Sequence, residues 1–242
     1  MRAIGTRIFG VAAFAAALAN GAFEAKAYTI GNTYNITLNQ WVGQSFGISW
    51  NGGAAVNTIA AAFDLRLDDT AIPGVQSEKL VGYCSDLLDW WNQAATTQPF
   101  TAVAVANPSG ANATPNPNWV AGGASKAAWI YNNYGGGSLG TTQKGGALAL
   151  AIWDALYDNG DGLGVTALGK FVVTSGDATT IANANAMLLA AAGKGAEGTW
   201  FTPADERLHQ GIIVGVPAPE SVLASLGFIA LAFVCRRQLR AE

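Results

Sequence analysis

Two side chains in this sequence, the thiol of Cys84 and the imidazole of His209, have the chemistry of a nucleophile and its general base. In a cysteine hydrolase the histidine takes the proton of the thiol, and an acidic residue orients the imidazole. The sequence around His209 has no hydrolase signature, so this is the least favoured interpretation. We therefore predict that the protein is not an enzyme. The acidic residues that a hydrolase could use for this orientation are Asp86, Asp205 and Glu206.

The composition limits the broad class of the protein. The 242 residues are 50% hydrophobic and 12% charged, which is typical of one folded domain of ordinary size. There are 13 Lys and Arg residues against 16 Asp and Glu residues, so we expect no nucleic-acid partner. Two cysteines and one histidine are too few for a Cys/His zinc site or a dense disulfide framework. We therefore predict no metal and no cofactor.

A short acidic turn, Asp158-Asn159-Gly160-Asp161-Gly162, contains oxygen ligands of the type that calcium prefers. A full EF-hand loop also needs a distal glutamate, and residues 165–170 contain no acidic side chain. The pattern therefore favours a solvated turn that ends a helix, and it leaves calcium binding between Asp158 and Asp161 open.

The first 27 residues have the pattern of a secretory signal helix. Arg2 and Arg7 give a positive start, and the segment from Ile8 to Phe23 is apolar and rich in alanine. Ala25-Lys26-Ala27 then supplies small residues where a signal peptidase cleaves. We expect residues 1–27 to direct export by the Sec machinery and to be removed.

The last segment, residues 216–242, has the pattern of a short membrane anchor. Prolines precede an apolar stretch from Val222 to Cys235, and an arginine cluster follows it. The stretch is shorter than the roughly 17–25 residues of a usual transmembrane helix, and flanking residues would have to extend it. Arginines at this end would stay in the cytoplasm, so the middle of the chain would lie outside the inner membrane.

This C-terminal segment resembles the PEP-CTERM sorting signal of Gram-negative bacteria that produce exopolysaccharide. The matching positions are Pro217, Ala218, Pro219 and Glu220, followed by the apolar helix and then by Arg236 and Arg237. Ala218 stands where the family has its central glutamate, and Glu220 is the displaced acidic residue. The resemblance implies that an exosortase recognises the segment, so that a transiently anchored protein reaches the cell surface or the extracellular space.

The sequence pattern of the middle of the chain, residues 28–215, predicts one α+β module that combines antiparallel strands with a helical half. Alternating patterns predict strands first, and helical periodicity appears later, which argues against a repeating βαβ sheet. Asn51-Gly52-Gly53 predicts a turn, and Asp177 a helix N-cap. The predicted strands are 28–38, 46–50, 62–67, 80–84, 171–174 and 212–214, and the predicted helices are 125–134, 146–157 and one after Asp177.

This module also resembles the thioester domains of bacterial surface adhesins. Tyr83-Cys84 matches the cysteine motif of the family, and Leu148 to Trp153 matches its helical motif. The resemblance implies an internal thioester between the cysteine and a glutamine, but Ala149 stands at the glutamine position. Alanine has no carboxamide, so we expect the fold to be kept without the covalent group. Trp153 shares a helix face with Ala149 and is predicted to pack over the vacant pocket.

The favoured function is therefore a non-catalytic binding or structural role, with an exopolysaccharide or a surface protein as the ligand. One alternative is a covalent adhesin in which Cys84 uses another glutamine, Gln143, six residues before Ala149. Whether Cys84 is buried, reactive or disulfide-linked is left open by the sequence. Four tryptophans stand beside polar or glycine-rich residues and could stack on sugars if they are partly exposed, although a core position is favoured for each: Trp90, Trp91, Trp119 and Trp200.

Overall fold

A long antiparallel hairpin begins the fold. The computed structural model describes residues 28–69, 78–87, 97–104, 118–135, 139–158, 160–163, 170–203 and 211–215. In the hairpin, β1 (Thr33–Trp50) pairs with β2 (Val56–Asp69), and a register shift beside Asn39 marks a bulge. Asn51 and Gly52 have φ angles of 50° and 71° in the connecting turn, the left-handed values that two-residue hairpin turns require. The predicted turn is confirmed.

Five further strands extend this hairpin into one antiparallel sheet. They are β3 (Glu78–Cys84), β4 (Thr97–Ala104), β5 (Phe171–Ser175), β6 (Gly198–Pro203) and β7 (Ile212–Gly215). The strand order is β2-β3-β7-β6-β4-β1-β5, and β1 also pairs with β2. These pairings close six strands into a ring and leave β5 attached to the last residues of β1. Cys84 is the last residue of β3, and its register partner on β7 is Ile212.

Three helices pack with the sheet, and the middle one is the most buried element described. The helices are α1 (Gly123–Tyr134), α2 (Thr142–Tyr157) and α3 (Ala178–Ala190). Every residue of α2 from Gly145 to Tyr157 is buried, because this helix contacts α1, α3 and both strands of the hairpin. At Gly145 a β-carbon would lie 2.2 Å from the carbonyl oxygen of Val42 on β1, so only glycine allows this close approach.

Side-chain caps fix where two of these helices begin. The hydroxyl of Thr141 accepts a hydrogen bond from the N–H of Lys144 at 3.1 Å, before the first turn of α2. The carboxylate of Asp177 accepts one from the N–H of Thr180 at 2.8 Å, which confirms the predicted cap of α3. Together these caps set the rotational position of the side chains that α2 and α3 present to the core.

The α+β class predicted from the sequence is confirmed by the seven antiparallel strands and three helices. One detail differs from the expectations. Residues 33–38 of the predicted strand 28–38 and the whole of the predicted strand 46–50 belong to the single strand β1, because β2 pairs along the polar stretch between them. The core position favoured for Trp200 is confirmed: it is 2% exposed on β6, between its register partners Val103 and Ile213.

The described residues all belong to one compact unit, Tyr28–Val216. The predicted signal segment 1–27 and the predicted sorting segment 216–242 lie outside the described residues. Within the described ranges, none of the helices combines the length and the apolar character that crossing a membrane requires.

Candidate functional site

The thiol of Cys84 lies buried at the end of β3 and is engaged by its own turn. The side chain is 2% exposed and forms no disulfide. The sulfur donates to the carbonyl oxygen of Asp86 at 3.0 Å and accepts from the N–H of the same residue at 3.3 Å. A thiol held in this way behaves as a small core side chain that closes a turn.

Two aromatic side chains of α2 bind the backbone of this turn. The indole N–H of Trp153 donates to the carbonyl oxygen of Cys84 at 2.9 Å. One helical turn later, the hydroxyl of Tyr157 donates to the carbonyl oxygen of Ser85 at 3.1 Å and accepts from the N–H of Leu87 at 3.2 Å. Residues four apart share a helix face, so α2 presents both groups to the same stretch of chain.

The hydroxyl of Tyr157 is set up to stay protonated. Burial raises its pKa above the ordinary value for tyrosine, and the nearby carboxylate of Asp86, 3.4 Å from the hydroxyl oxygen, raises it further. A neutral hydroxyl can donate one hydrogen bond while it accepts another. Tyr157 therefore fits a structural role in holding the turn, and its chemistry does not suit a general base near neutral pH.

Ala149, which the expected resemblance to thioester domains places at the glutamine position, contributes a buried methyl group. Ala149 is completely buried on α2, one turn before Trp153. A methyl group has no electrophilic carbon that could join the sulfur of Cys84. The helical motif therefore presents an indole hydrogen bond to the Cys84 backbone and no acyl group at the matching position.

Tyr83 serves the packing of β3. Its ring is buried and makes an edge-on contact with the ring of Tyr131 on α1, with the centroids 5.7 Å apart. The hydroxyl of Tyr131 donates to the carbonyl oxygen of Val81 on the same strand. Burial raises the pKa of Tyr83, and the neighbouring Tyr131 adds to this effect. These contacts join β3 to α1 beside the cysteine.

Gln143, the alternative glutamine, lies at the other end of α2. Its side chain is exposed in the first turn, and it lines a cavity of about 310 Å³ with residues of α2 and α3 that include Lys144, Asn183 and Met187. Six helical residues separate it from Ala149, a rise of about 9 Å along the axis. The arrangement directs Gln143 towards the start of α3, whereas Cys84 is bound by the last turns of α2.

Among the remaining sequence candidates, Asp86 lies beside Cys84 as part of the turn just described. The imidazole of His209 and the acidic residues Asp205 and Glu206 lie outside the described residues, as do Trp90 and Trp91. The sorting-motif residues from Pro217 to Arg237 lie outside them as well. The sequence analysis missed Tyr157, although its spacing of four residues from Trp153 is a signal that could have identified it.

Comparisons with protein-family models, curated proteins and solved structures return no match for this chain.

Proposed function

We propose that this protein is an exported, non-catalytic binding or structural module of the cell surface or extracellular matrix. The module would be a thioester-domain-like fold that has lost its acyl group, delivered by the N-terminal signal and sorted by an exosortase. The observation that carries the proposal is the pairing of Ala149 with Trp153 on α2. At the position that would supply the carboxamide, Ala149 has only a buried methyl group. Trp153, on the same helix face, donates a hydrogen bond to the backbone of Cys84.

The burial of the thiol supports a role without covalent chemistry. A nucleophilic cysteine must be reached by its substrate and is activated by a neighbouring base or positive charge. Cys84 is almost fully buried, so a substrate cannot reach its sulfur, and two hydrogen bonds join that sulfur to the backbone of Asp86. These features favour a module that holds its ligand noncovalently, with an exopolysaccharide or a surface protein as the ligand class.

The mode of attachment provides the test of this function. The purified full chain is incubated with surface polysaccharide from exopolysaccharide-producing bacteria, and the bound protein is washed with hot detergent. We expect complete release, with Cys84→Ala binding as well as the unaltered protein. Detergent-resistant attachment that disappears in Cys84→Ala would contradict the proposal and support the covalent adhesin. Absence of binding to polysaccharide and to surface protein alike would contradict the binding role.

The sorting step has its own test. Replacing Pro217 and Pro219 by alanine should leave the C-terminal segment on the protein, because the proposed exosortase reads this motif. The matched control replaces Pro115 and Pro117, which have the same spacing in another segment. Mass spectrometry of the exported protein should find the segment removed from the control and retained in the first variant. Equal processing of both would show that this motif is not the recognition signal.

A further inference from the structure

Three carboxylates meet where α2 ends. Asp154, Asp158 and Asp161 each place one carboxylate oxygen within 4.8 Å of the other two. The first two are one helical turn apart, and the third follows in the acidic turn that the sequence analysis singled out. Asp154 was not predicted as a member, and it brings the cluster into the protein interior.

The carboxyl group of Asp154 has no partner among the described residues that explains its burial. Its side chain is 0% exposed, and neither of its oxygens accepts a hydrogen bond from the described part of the protein. Buried charges in proteins are normally paired or bound to a metal, because an isolated buried carboxylate is strongly unfavourable. This buried group points to a positively charged ligand that the described residues do not supply.

The charges around Asp154 also indicate that the described residues give the cluster too little positive charge. Burial raises the pKa of Asp154 to about 7, and the negative charges of Asp161 and Asp158 add to the rise. The N–H of Gly162, outside hydrogen-bonding geometry, and the ammonium group of Lys126 lower it only in part. One lysine cannot balance three carboxylates, so the cluster is short of positive charge when all three are ionised.

We propose that Asp154, Asp158 and Asp161 form a calcium site. Ca²⁺ binds carboxylate oxygens at roughly 2.3–2.6 Å, and Mg²⁺ binds them at roughly 2.0–2.1 Å. Three oxygens no more than 4.8 Å apart leave a point at most about 2.8 Å from each of them. Ca²⁺ accepts flexible and irregular oxygen geometry, whereas Mg²⁺ demands a near-ideal octahedron, so carboxylates gathered at an irregular helix end favour Ca²⁺.

A cation at this position would tie several elements together. Oδ2 of Asp158 accepts a hydrogen bond from the N–H of Phe171 at the start of β5, at 3.1 Å. The N–H of Leu163 donates to the side chain of Asn185 on α3 at 2.8 Å. The acidic turn therefore lies among α2, β5 and α3, and calcium would stabilise the end of the helix that holds the Cys84 turn.

The test uses the purified full chain, stripped with a chelator and then titrated with CaCl₂ in a calorimeter. We expect one ion per chain with a Kd of about 10⁻⁴–10⁻³ M, the range of extracellular calcium modules. The midpoint of thermal unfolding should rise with added CaCl₂, and it should rise less with equal MgCl₂. The proposal would be overturned if about 10 mM CaCl₂, well above that range, produced no heat of binding and no shift of the midpoint.

Variants assign the ion to this cluster. Asp161→Asn changes an exposed side chain and should fold, and it should lose at least tenfold in calcium affinity. Asp154→Asn should abolish the calcium-dependent rise of the midpoint. Asp68→Asn alters a partly exposed aspartate on β2, which is paired with Arg66, and should respond to calcium like the unaltered protein. A calcium response that persists unchanged in Asp161→Asn would overturn the assignment even if Asp154→Asn does not fold.

Discussion

Trp153 joins the buried helix α2 to the end of β3 by donating its indole N–H to the carbonyl oxygen of Cys84, at 2.9 Å. Both residues are almost fully buried, so neither group of this hydrogen bond has water as a substitute partner. The proposed resemblance to thioester domains would place a cysteine and a glutamine together at these two motifs. Here the motifs meet through an indole and a backbone carbonyl.

Removing this hydrogen bond should destabilise the protein. Trp153→Phe keeps an aromatic ring but removes a buried hydrogen bond to the carbonyl of Cys84, which costs about 0.5–1.5 kcal/mol in addition to lost packing. Urea unfolding of the full chain should detect the change as a lower midpoint. The matched control is Trp129→Phe, a partly buried tryptophan on α1, for which we expect a smaller loss. Equal losses of stability in the two variants would contradict a specific contribution of the Trp153 hydrogen bond.

A pair of adjacent glycines tests the packing of α2 on the hairpin. Gly145→Ala should lower the free energy of unfolding by about 1–3 kcal/mol, because the added methyl group meets the Val42 carbonyl. Gly146→Ala should be close to neutral, since its nearest contacts, at 3.3 Å, are side-chain atoms of Phe46 and Thr180. Both variants gain the same helix propensity, so the difference between them reports the close approach alone. Similar stabilities would contradict the described packing.

The buried carboxyl of Asp154 predicts a pH dependence of stability in the absence of calcium. Its pKa is about 7 in the folded protein and about 3.9 in an unfolded chain. Between these values the folded state keeps a proton that the unfolded state has lost. The free energy of unfolding should therefore fall as the pH rises from about 4 to about 7, by up to about 4 kcal/mol, and then level off.

Urea unfolding at pH 5 and pH 8 in the presence of a chelator measures this effect. Asp154→Asn removes the titrating group, so its stability should change less between the two pH values than that of the unaltered protein. Asp158 and Asp161 remain in the variant, and they account for any dependence that is left. Parallel behaviour of the two proteins would contradict the raised pKa of Asp154.

Local patterns carried much of the fold. Asn51-Gly52 predicted the turn of the hairpin because few other residues adopt its left-handed angles at low cost. Phe63, Leu65 and Leu67 alternate with polar residues, and all three are buried on β2 as the period of two requires. These signals arise from residues that are neighbours in the chain. They can therefore be read from the sequence without knowing which distant segments pack together.

Contacts between distant segments account for what the sequence did not reveal. Strands β4 and β6 were not predicted, since their short patterns gain meaning only when they pair with each other. Helical periodicity predicted residues 146–157 of α2, but only the folded protein shows that α1, α3 and the sheet bury this helix on all sides. Asp154 is the single charged residue between Gly145 and Tyr157, and that isolation was an available signal for the acidic cluster.

The intact mass of the purified protein, before and after treatment with methylamine, tests most directly whether Cys84 has an acyl partner. Formation of a thioester releases one ammonia, and methylamine reopens the bond with a gain in mass. Because Ala149 provides no carboxamide, we predict a mass with no loss of ammonia. The mass should be identical before and after methylamine, and the mass of Cys84→Ala should be equally unaffected by the treatment. A loss of ammonia that methylamine reverses and Cys84→Ala abolishes would contradict the account, and Gln143→Ala would then identify the acyl donor.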